Sequence, residues 1–240
     1  MNRYLLKLPF DFLFSSVVCI VFSPLLLGSV LAIWLQDFKN PFYLAKRVAY
    51  GGGDFTMIKV RSMVVNAEKS GVNSTGASDK RITLVGHFIR RYKVDEISQF
   101  INVLAGDMSV VGPRPNTYAW GVDLYTEVEQ GLLSVRPGIT DLSSIVFSDE
   151  GDILKDEPDA DEAYNALIRP WKSRLGLLYI ANQSLVLDIR IIWLTAVAVI
   201  NRSKALAGVD KILVDLNAPE NLRTVCRRDQ KLVPAAPPGV

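Results

Sequence analysis

Two adjacent carboxylates, Asp95 and Glu96, follow a run of basic residues that includes Arg90 and Arg91. An ionised carboxylate can attack an electrophile such as phosphorus, and a carboxylate pair can hold a divalent cation. The same residues also suit the first turn of a helix, where the helix dipole favours negative charge. The residues alone therefore leave open a catalytic pair and a solvated helix start.

Further cations stand where they could bind phosphate. Lys59 and Arg61 alternate with apolar residues in FTMIKVRSM, so we expect them to share one face of a strand. Arg114 lies between two prolines in VVGPRP, which fix the backbone and leave little entropy to lose when the guanidinium binds phosphate. For Lys59, an ordinary solvent-facing charge is the alternative. The candidate phosphate-binding residues are Lys59, Arg90, Arg114 and Arg136.

Short elements of a mostly helical α/β fold must position these residues. Aromatic and β-branched residues around Gly51-Gly52-Gly53-Asp54 predict a small β-hairpin. Apolar residues at helical spacing predict two short helices, the second ended by Gly106. The predicted elements are a hairpin over 41–65, a loop over 66–81, helices over 82–91 and 95–104, and a rigid loop over 107–115.

The stretch from Phe12 to Leu35 contains no charged residue and is long enough to span a bilayer as a helix. Pro24 removes a backbone donor and predicts a break at Ser23-Pro24, where the serine hydroxyl can take up the freed carbonyl. Basic residues flank both ends, which favours a re-entrant helix with both ends in the cytoplasm. A kinked single-pass helix is the alternative. These flanking residues are Arg3, Lys7, Lys39, Lys46 and Arg47.

The second half of the chain carries weaker signals. Residues 149–162 are acidic, which predicts a solvent-exposed segment at the surface. Residues 175–201 are apolar with basic neighbours, which fits amphipathic helices on an anionic membrane surface or, equally, core helices. The predicted division is a membrane helix over 1–38, a catalytic domain over 39–204, and a partly disordered extension over 205–240.

Composition excludes several classes of function. The 240 residues carry a net charge of +2, which does not indicate a nucleic-acid partner. The single histidine makes a histidine-ligated metal site improbable. The two cysteines, Cys19 and Cys226, lie in an apolar stretch and a polar tail, so no disulfide framework is expected and a reducing cytoplasm fits.

The order of these motifs resembles the bacterial sugar transferases, which are polyprenyl-phosphate hexose-1-phosphate transferases or small monotopic phosphoglycosyl transferases. The most specific part is the string DEISQFINVLAGDMSVVGPRP. The matching stretches are Ser23-Pro24, KVRSM at 59–63, RRYKVDEISQFINVLAGDMSVVGPRP at 90–115, RPGIT at 136–140 and LYIANQSLVLDIRIIWLT at 178–195.

The resemblance implies transfer of a sugar 1-phosphate from a UDP-sugar to polyprenyl phosphate, such as undecaprenyl phosphate, with Mg²⁺ and release of UMP. This is the first membrane step of a glycan or exopolysaccharide pathway. Asp95 would be the nucleophile, and Glu96 would help Asp95 hold Mg²⁺ or assist the acceptor step. The resemblance also implies a globular part at the cytoplasmic face of the bacterial inner membrane, with the lipid bilayer as a partner. The resemblance does not fix the oligomeric state, and a homo-oligomer is one option.

Three positions depart from the family's usual pattern. Ser98 stands where proline is common, Lys46 where glutamine is common, and Asp141-Leu142-Ser143-Ser144 where glycine, an apolar residue and Ala-Gln are common. The last change bears on nucleotide or sugar recognition.

Two other functions are considered. A membrane-anchored phosphohydrolase would need a DxD motif at a strand end, whereas Asp159-Ala160-Asp161 falls in the acidic stretch. A non-catalytic adaptor with a degenerate domain is disfavoured because the acidic pair and the clamped arginine are intact.

Overall fold

The computed structural model describes residues 5–67, 79–118 and 121–240. Within them, helices dominate and two small two-stranded sheets complete a mostly helical α/β fold, as predicted. Arg3 and most of the predicted loop over 66–81 lie outside the described residues. The helices are α1 Lys7–Asp37, α2 Leu84–Arg91, α3 Val94–Ile97, α4 Gln99–Ala105, α5 Leu142–Val146, α6 Glu150–Ile153, α7 Ala160–Ala163, α8 Arg169–Ala181, α9 Leu185–Ile200, α10 Arg202–Asp215 and α11 Glu220–Arg227. The strands are β1 Phe42–Val48, β2 Asp54–Val60, β3 Ser109–Val111 and β4 Gly138–Thr140.

Strands β1 and β2 form the predicted hairpin, with Tyr43 opposite Lys59 in an antiparallel register. Gly51 and Gly52 make its turn at φ 74° and 88°, a region that glycine enters without steric cost. The expectation that Lys59 and Arg61 share one face is wrong. Strand β2 ends at Val60, and Arg61 instead forms a bidentate ion pair with Asp37 at 2.6 and 2.7 Å.

Helix α1 runs from Lys7 to Asp37 without interruption, so the expected break at Ser23-Pro24 is not found. Pro24 has no N–H for the carbonyl of Ile20, four residues earlier. The Ser23 hydroxyl donates to this carbonyl at 2.8 Å, as the sequence suggested, and it therefore replaces the missing backbone bond. Within the described residues, α1 is the helix that is long and apolar enough to cross a membrane.

Both ends of α1 are attached to the globular part. At the N-terminal end, the Asp11 carboxylate accepts hydrogen bonds from the Ser109 hydroxyl and the Val110 amide at 2.8 and 3.1 Å. At the C-terminal end, Ile33 is buried with Val60 and residues of α2 and α3. The opposite side of α1 exposes large apolar residues: Phe12, Leu13, Val17, Ile20, Val21, Leu27, Leu31, Trp34 and Leu35.

The main core lies where helices α5, α8, α9 and α10 meet strands β3 and β4. The parallel pairing of β3 with β4 places Ser109 opposite Gly138 and Val111 opposite Thr140. Helix α8 buries much of its surface, which favours the core-helix alternative for this part of 175–201. Helix α9 is two-sided: it buries Leu187 and Ile191 but exposes apolar side chains. The large apolar residues that α9 exposes are Val186, Ile189, Trp193, Val199 and Ile200.

Residues 205–240, predicted as a partly disordered extension, contain most of α10 and all of α11, and both helices pack onto the rest of the chain. Helix α10 supplies fully buried residues to the main core, and α11 adds Leu222 and Cys226. The last residues are also attached, since the Ala235 amide donates to the carbonyl of Ala166 at 3.0 Å. The sequence indicated disorder through its closing residues PAAPPGV, which lack the apolar spacing of a core element.

We expect Ser23→Ala to lower the free energy of unfolding by about 1 kcal/mol, because it removes one hydrogen bond. In a Pro24→Ala background the restored backbone N–H can bind the Ile20 carbonyl, so the same change should cost much less. Thermal unfolding of the four proteins in detergent measures this difference. Equal costs of Ser23→Ala in both backgrounds would show that the hydroxyl does not replace the missing amide.

We expect Leu213→Ala to destabilise the protein by about 2–5 kcal/mol, because it empties a buried position in α10. The neighbouring Val214 is 48% exposed, so Val214→Ala is the matched control, with an expected cost below about 0.5 kcal/mol. Denaturant unfolding of both variants provides the measurement. A negligible effect of Leu213→Ala would mean that the extension does not contribute to the core.

Candidate active site

The two acidic residues lie in the first turn of the short helix α3, which follows a sharp turn after α2. Lys93 makes this turn in the left-handed conformation, at φ 54°. The predicted helix over 95–104 is interrupted at Ser98, which separates α3 from α4, and Gly106 ends α4 at φ 87° as expected. The turn lets α3 point its carboxylates toward the hairpin instead of continuing the direction of α2.

Two buried side chains attach α3 and α4 to the edge of β2. The Asn102 amide group donates to the Thr56 carbonyl at 2.8 Å and accepts from the Ile58 amide at 2.9 Å. The Ser98 hydroxyl lies 3.0 Å from the carbonyls of both Ile58 and Asp95. These side chains bind the backbone groups of β2 that a neighbouring strand would otherwise bind. The serine that departs from the family's usual proline therefore joins the acidic helix to the strand that carries Lys59.

Each carboxylate faces a different cation. The Lys59 ammonium lies 3.9 Å from a carboxylate oxygen of Asp95. The Arg114 guanidinium donates to Glu96 at 3.2 Å and to the carbonyl of Ile139 at 2.9 Å. The structure therefore brings together four of the predicted site residues from three segments of the chain.

The loop that carries Arg114 is held by backbone contacts. Strand β3 leads into Gly112 and Pro113, and the Gly138 amide donates to the Pro113 carbonyl at 2.8 Å. A Cβ atom on Gly112 would lie 2.7 Å from the carbonyl of Arg136, so only glycine fits this approach without a backbone shift. The rigid loop predicted around Arg114 is thus fixed by a parallel strand pair as well as by its prolines.

The two carboxyl groups differ in their electrostatics. Burial raises the pKa of Asp95, and the nearby Lys59 opposes this shift only in part. Burial also acts to raise the pKa of Glu96, but Arg114, Lys93 and Lys59 together outweigh it and hold this pKa below its usual value. Glu96 is therefore firmly ionised, whereas Asp95 is a poorly solvated and more basic carboxylate. A difference of this kind between two pKa values is common where two neighbouring carboxyl groups have different tasks.

The cations of the site are also perturbed. Burial lowers the pKa of Lys59, and the positive charge of Arg114 adds to this effect. Arg90 is close enough to Asp95 to lower the pKa of its carboxyl group. Arg136 is half-buried behind Gly112, and in the described part of the chain it forms no ion pair with either acidic residue.

Arg47 belongs to the site but was treated in the sequence only as a flanking charge. Its positive charge is near enough to lower the pKa of Lys59. Burial lowers the pKa of Arg47 itself, and the positive charge of Arg114 lowers it further. Strand alternation contained the signal, because Arg47 shares a face with Tyr43, the residue opposite Lys59.

The residues Asp95 and Glu96 fit a magnesium ion by their chemistry. Their carboxylate oxygens are hard ligands, and Mg²⁺ is commonly held by one or two carboxylates with water and phosphate completing its shell. Across residues 5–67, 79–118 and 121–240, no group of three or more acidic, histidine or cysteine side chains is placed to hold a metal. The protein would therefore leave most of the coordination to water and substrate.

The departure at Asp141-Leu142-Ser143-Ser144 forms a helix cap. The buried Asp141 carboxylate accepts from the Ser144 amide and the Ser143 hydroxyl, both at 2.7 Å, and begins α5. The negative charge of Glu96 raises the pKa of Arg114, and that of Asp141 adds a smaller effect in the same direction. These residues therefore support the arginine loop from behind.

The family model described as bacterial sugar transferase matches residues 2–202, and the chain belongs to this family, as its motifs predicted. A UDP-N-acetylgalactosamine-undecaprenyl-phosphate N-acetylgalactosaminephosphotransferase of Aeromonas hydrophila is 34% identical over 192 residues, covering 79% of this chain and 42% of the relative. A UDP-glucose:undecaprenyl-phosphate glucose-1-phosphate transferase of Klebsiella pneumoniae is 36% identical over 190 residues, covering 77% and 38%. The chain thus spans about two fifths of the length of these relatives.

The opposite pKa shifts of Asp95 and Glu96 predict opposite effects on stability. A raised pKa means that ionised Asp95 opposes folding above the ordinary carboxyl pKa, so Asp95→Asn should gain stability relative to wild type as the pH rises from 4 to 7. Ionised Glu96 favours folding, so Glu96→Gln should lose stability relative to wild type as the pH rises toward and through the ordinary carboxyl pKa, with little further change up to pH 7.

Melting temperatures of the three proteins at several pH values measure both trends, and each variant serves as the control for the other. The same direction of change in the two variants would contradict the assigned environments.

Proposed function

We propose that this protein is a phosphoglycosyl transferase that moves a sugar 1-phosphate from a UDP-sugar to a polyprenyl phosphate such as undecaprenyl phosphate. The observation that carries this proposal is the mostly buried Asp95 carboxylate, which lies beside Lys59 and near the Glu96–Arg114 pair. The names of the related proteins, which act on UDP-sugars and undecaprenyl phosphate, support the same substrates.

In the first step, an oxygen of Asp95 attacks the phosphorus that carries the sugar. A bond forms between this oxygen and phosphorus, the bond from phosphorus to the oxygen of UMP breaks, and UMP leaves with the electron pair. The product is an acyl phosphate on Asp95. Burial suits this role, because a poorly hydrated carboxylate is a better nucleophile than one fully solvated by water.

Fixed cations offset the charge of the donor. The diphosphate is anionic and approaches a carboxylate, so the reaction needs positive charge on both sides of the reacting phosphorus. Lys59, Arg90 and Arg114 supply this charge, and Arg136 is a further candidate. When Mg²⁺ is bound, with Asp95 and Glu96 as its protein ligands, it supplies additional positive charge for the diphosphate.

In the second step, a phosphate oxygen of the polyprenyl phosphate attacks the same phosphorus. The bond between phosphorus and Asp95 breaks, and the carboxylate is regenerated as the lipid diphosphate sugar forms. Glu96 cannot take the same position as Asp95, because adjacent residues of a helix point about 100° apart. Its ionised carboxylate, held by Arg114, suits metal binding or assistance to the acceptor.

The attachment of α1 supports an association with one side of the membrane. A spanning helix would separate its ends by a hydrocarbon core of about 30 Å. Here Asp11 near one end and Asp37 at the other both bind residues of the same globular part. We therefore propose that both ends stay at the cytoplasmic face of the bacterial inner membrane, while the exposed apolar faces of α1 and α9 enter the lipid.

We expect the purified protein to release UMP from one member of a UDP-sugar panel when polyprenyl phosphate and Mg²⁺ are present. Asp95→Asn should lower this turnover on the order of 10³-fold or more, because it removes the nucleophile. Asp152→Asn makes the same chemical change at an exposed residue of α6 and is the matched control.

Full activity of Asp95→Asn would contradict the assigned nucleophile. If the wild-type protein releases no UMP from any donor, the non-catalytic adaptor becomes the better account.

A further inference from the structure

Gln99 is a fully buried residue of α4, the helix that follows the acidic pair. Its side chain is 0% exposed, and neither the nitrogen nor the oxygen of its amide group has a hydrogen-bond partner among the described residues. A buried amide without partners costs free energy, because it has given up its bonds to water. Such a group calls for a physical reason, and a bond that forms when a ligand binds is one.

The contacts of the neighbouring residues show which way Gln99 faces. Ser98 continues the helical backbone conformation between α3 and α4, with φ −65° and ψ −21°. Asp95, Ser98 and Asn102 all contact residues of β2, so one face of this segment runs along the strand. Steps of three and four residues return to the same face of a helix, and these contacts show that the spacing holds across Ser98.

Gln99 belongs to the next face of the segment, which carries Glu96 and Val103 at the same spacing. At one end of this face, Glu96 accepts a hydrogen bond from Arg114 at 3.2 Å. At the other end, Val103 is buried in the main core together with Val110 of β3. The Gln99 amide therefore lies between the core and the Glu96–Arg114 ion pair. Residues three apart on a helix have Cβ atoms about 5–6 Å apart, so a change of rotamer brings this amide to Glu96.

Glu96 has to serve two partners in the proposed reaction. It pairs with Arg114 in this structure, whereas the reaction needs Arg114 for phosphate and Glu96 for Mg²⁺. The guanidinium and the metal are both positive, so their repulsion weakens this ion pair when the metal binds. The Glu96 side chain is only 20% exposed, so water replaces the lost donor incompletely. Carboxylates that bind a metal are themselves held by hydrogen bonds, and Glu96 then needs such a donor.

We propose that Gln99 is the positioning residue for Glu96: when Mg²⁺ binds, the amide nitrogen of Gln99 donates to the Glu96 carboxylate and holds it toward the metal. This inference rests on the proposed transferase function, and it adds a residue that touches neither the substrate nor the metal. An amide suits the task because it offers two N–H donors without a positive charge that would repel the metal.

Metal binding measured without turnover tests this role. Mn²⁺ takes the same oxygen ligands as Mg²⁺, and electron paramagnetic resonance of the free ion reports how much the full-length protein binds. Gln99→Met keeps a side chain of similar size but removes the amide. We expect it to weaken Mn²⁺ binding by about 10–100-fold, the usual cost of removing a group that orients a metal ligand. Gln130→Met makes the same change at an exposed residue and should stay within about twofold of wild type.

Two further readouts separate positioning from a structural role. Gln99→Met removes a buried polar group that has no partner in the described residues, so its melting temperature should equal or exceed that of wild type. If Gln99 acts through Glu96, adding Gln99→Met to Glu96→Gln should weaken Mn²⁺ binding by less than about twofold more. Gln99→Asn keeps the two donors on a shorter side chain and should recover part of the affinity.

Several results would overturn the inference. Unchanged Mn²⁺ affinity in Gln99→Met, or no Mn²⁺ binding by wild type, would refute it. A further loss of about 10-fold or more on top of Glu96→Gln would show that Gln99 acts independently of Glu96. A clearly lower melting temperature of Gln99→Met would assign the amide to the stability of the fold instead. A protein that shows the expected Mn²⁺ pattern but releases no UMP would refute the proposed transferase function and leave the role of Gln99 standing.

Discussion

The site depends on keeping two carboxylates and several cations close together under partial burial. Burial alone would neutralise Asp95 and Glu96, and repulsion alone would separate Lys59 from Arg114. The two ion pairs, Lys59 with Asp95 and Arg114 with Glu96, hold these charges in place. They also leave the two carboxyl groups in different environments, since the pKa of Asp95 is raised and that of Glu96 is lowered. This difference fits the proposal that Asp95 acts as the nucleophile while Glu96 has another task.

The surrounding fold serves mainly to bring the charges to one place. Helix α3 carries the carboxylates, β2 carries Lys59, and the loop after β3 carries Arg114. Asn102 joins the first two segments by binding the free edge of β2 in place of another strand. The close approach of Gly112 to the backbone around β4 fixes the loop that carries Arg114. Such support is costly for stability but gives the preorganised positions that charge stabilisation in a transition state requires.

Much of the site could be predicted because its residues stand in short motifs with local causes. The hairpin turn, the Gly106 helix end and the clamped Arg114 all follow from residues within a few positions of each other. The proximity of Arg47 to Lys59 and Arg114 was missed because it depends on how β1 meets a loop almost 70 positions away. Arg61 was misplaced for a similar reason, since its partner Asp37 lies in another element.

The errors in the fold have comparable origins. Proline predicted a break in α1, but the hydroxyl of Ser23 restores the lost bond, and such compensation is visible only when the acceptor carbonyl is known. The C-terminal helices were taken as part of an extension because the chain ends in PAAPPGV, which is typical of a disordered tail. The buried residues of α10, including Val209 and Leu213, recur at helical spacing, so this local pattern already indicated a core helix.

The most direct test of the account is the mass of the intact protein after incubation with a reactive UDP-sugar and Mg²⁺ in the absence of lipid acceptor. The account predicts an increase equal to one sugar phosphate, located by peptide mapping on Asp95 and lost when polyprenyl phosphate is added. A protein that turns over normally with acceptor yet shows no adduct, or carries it on another residue, would contradict the central claim that Asp95 forms the covalent intermediate.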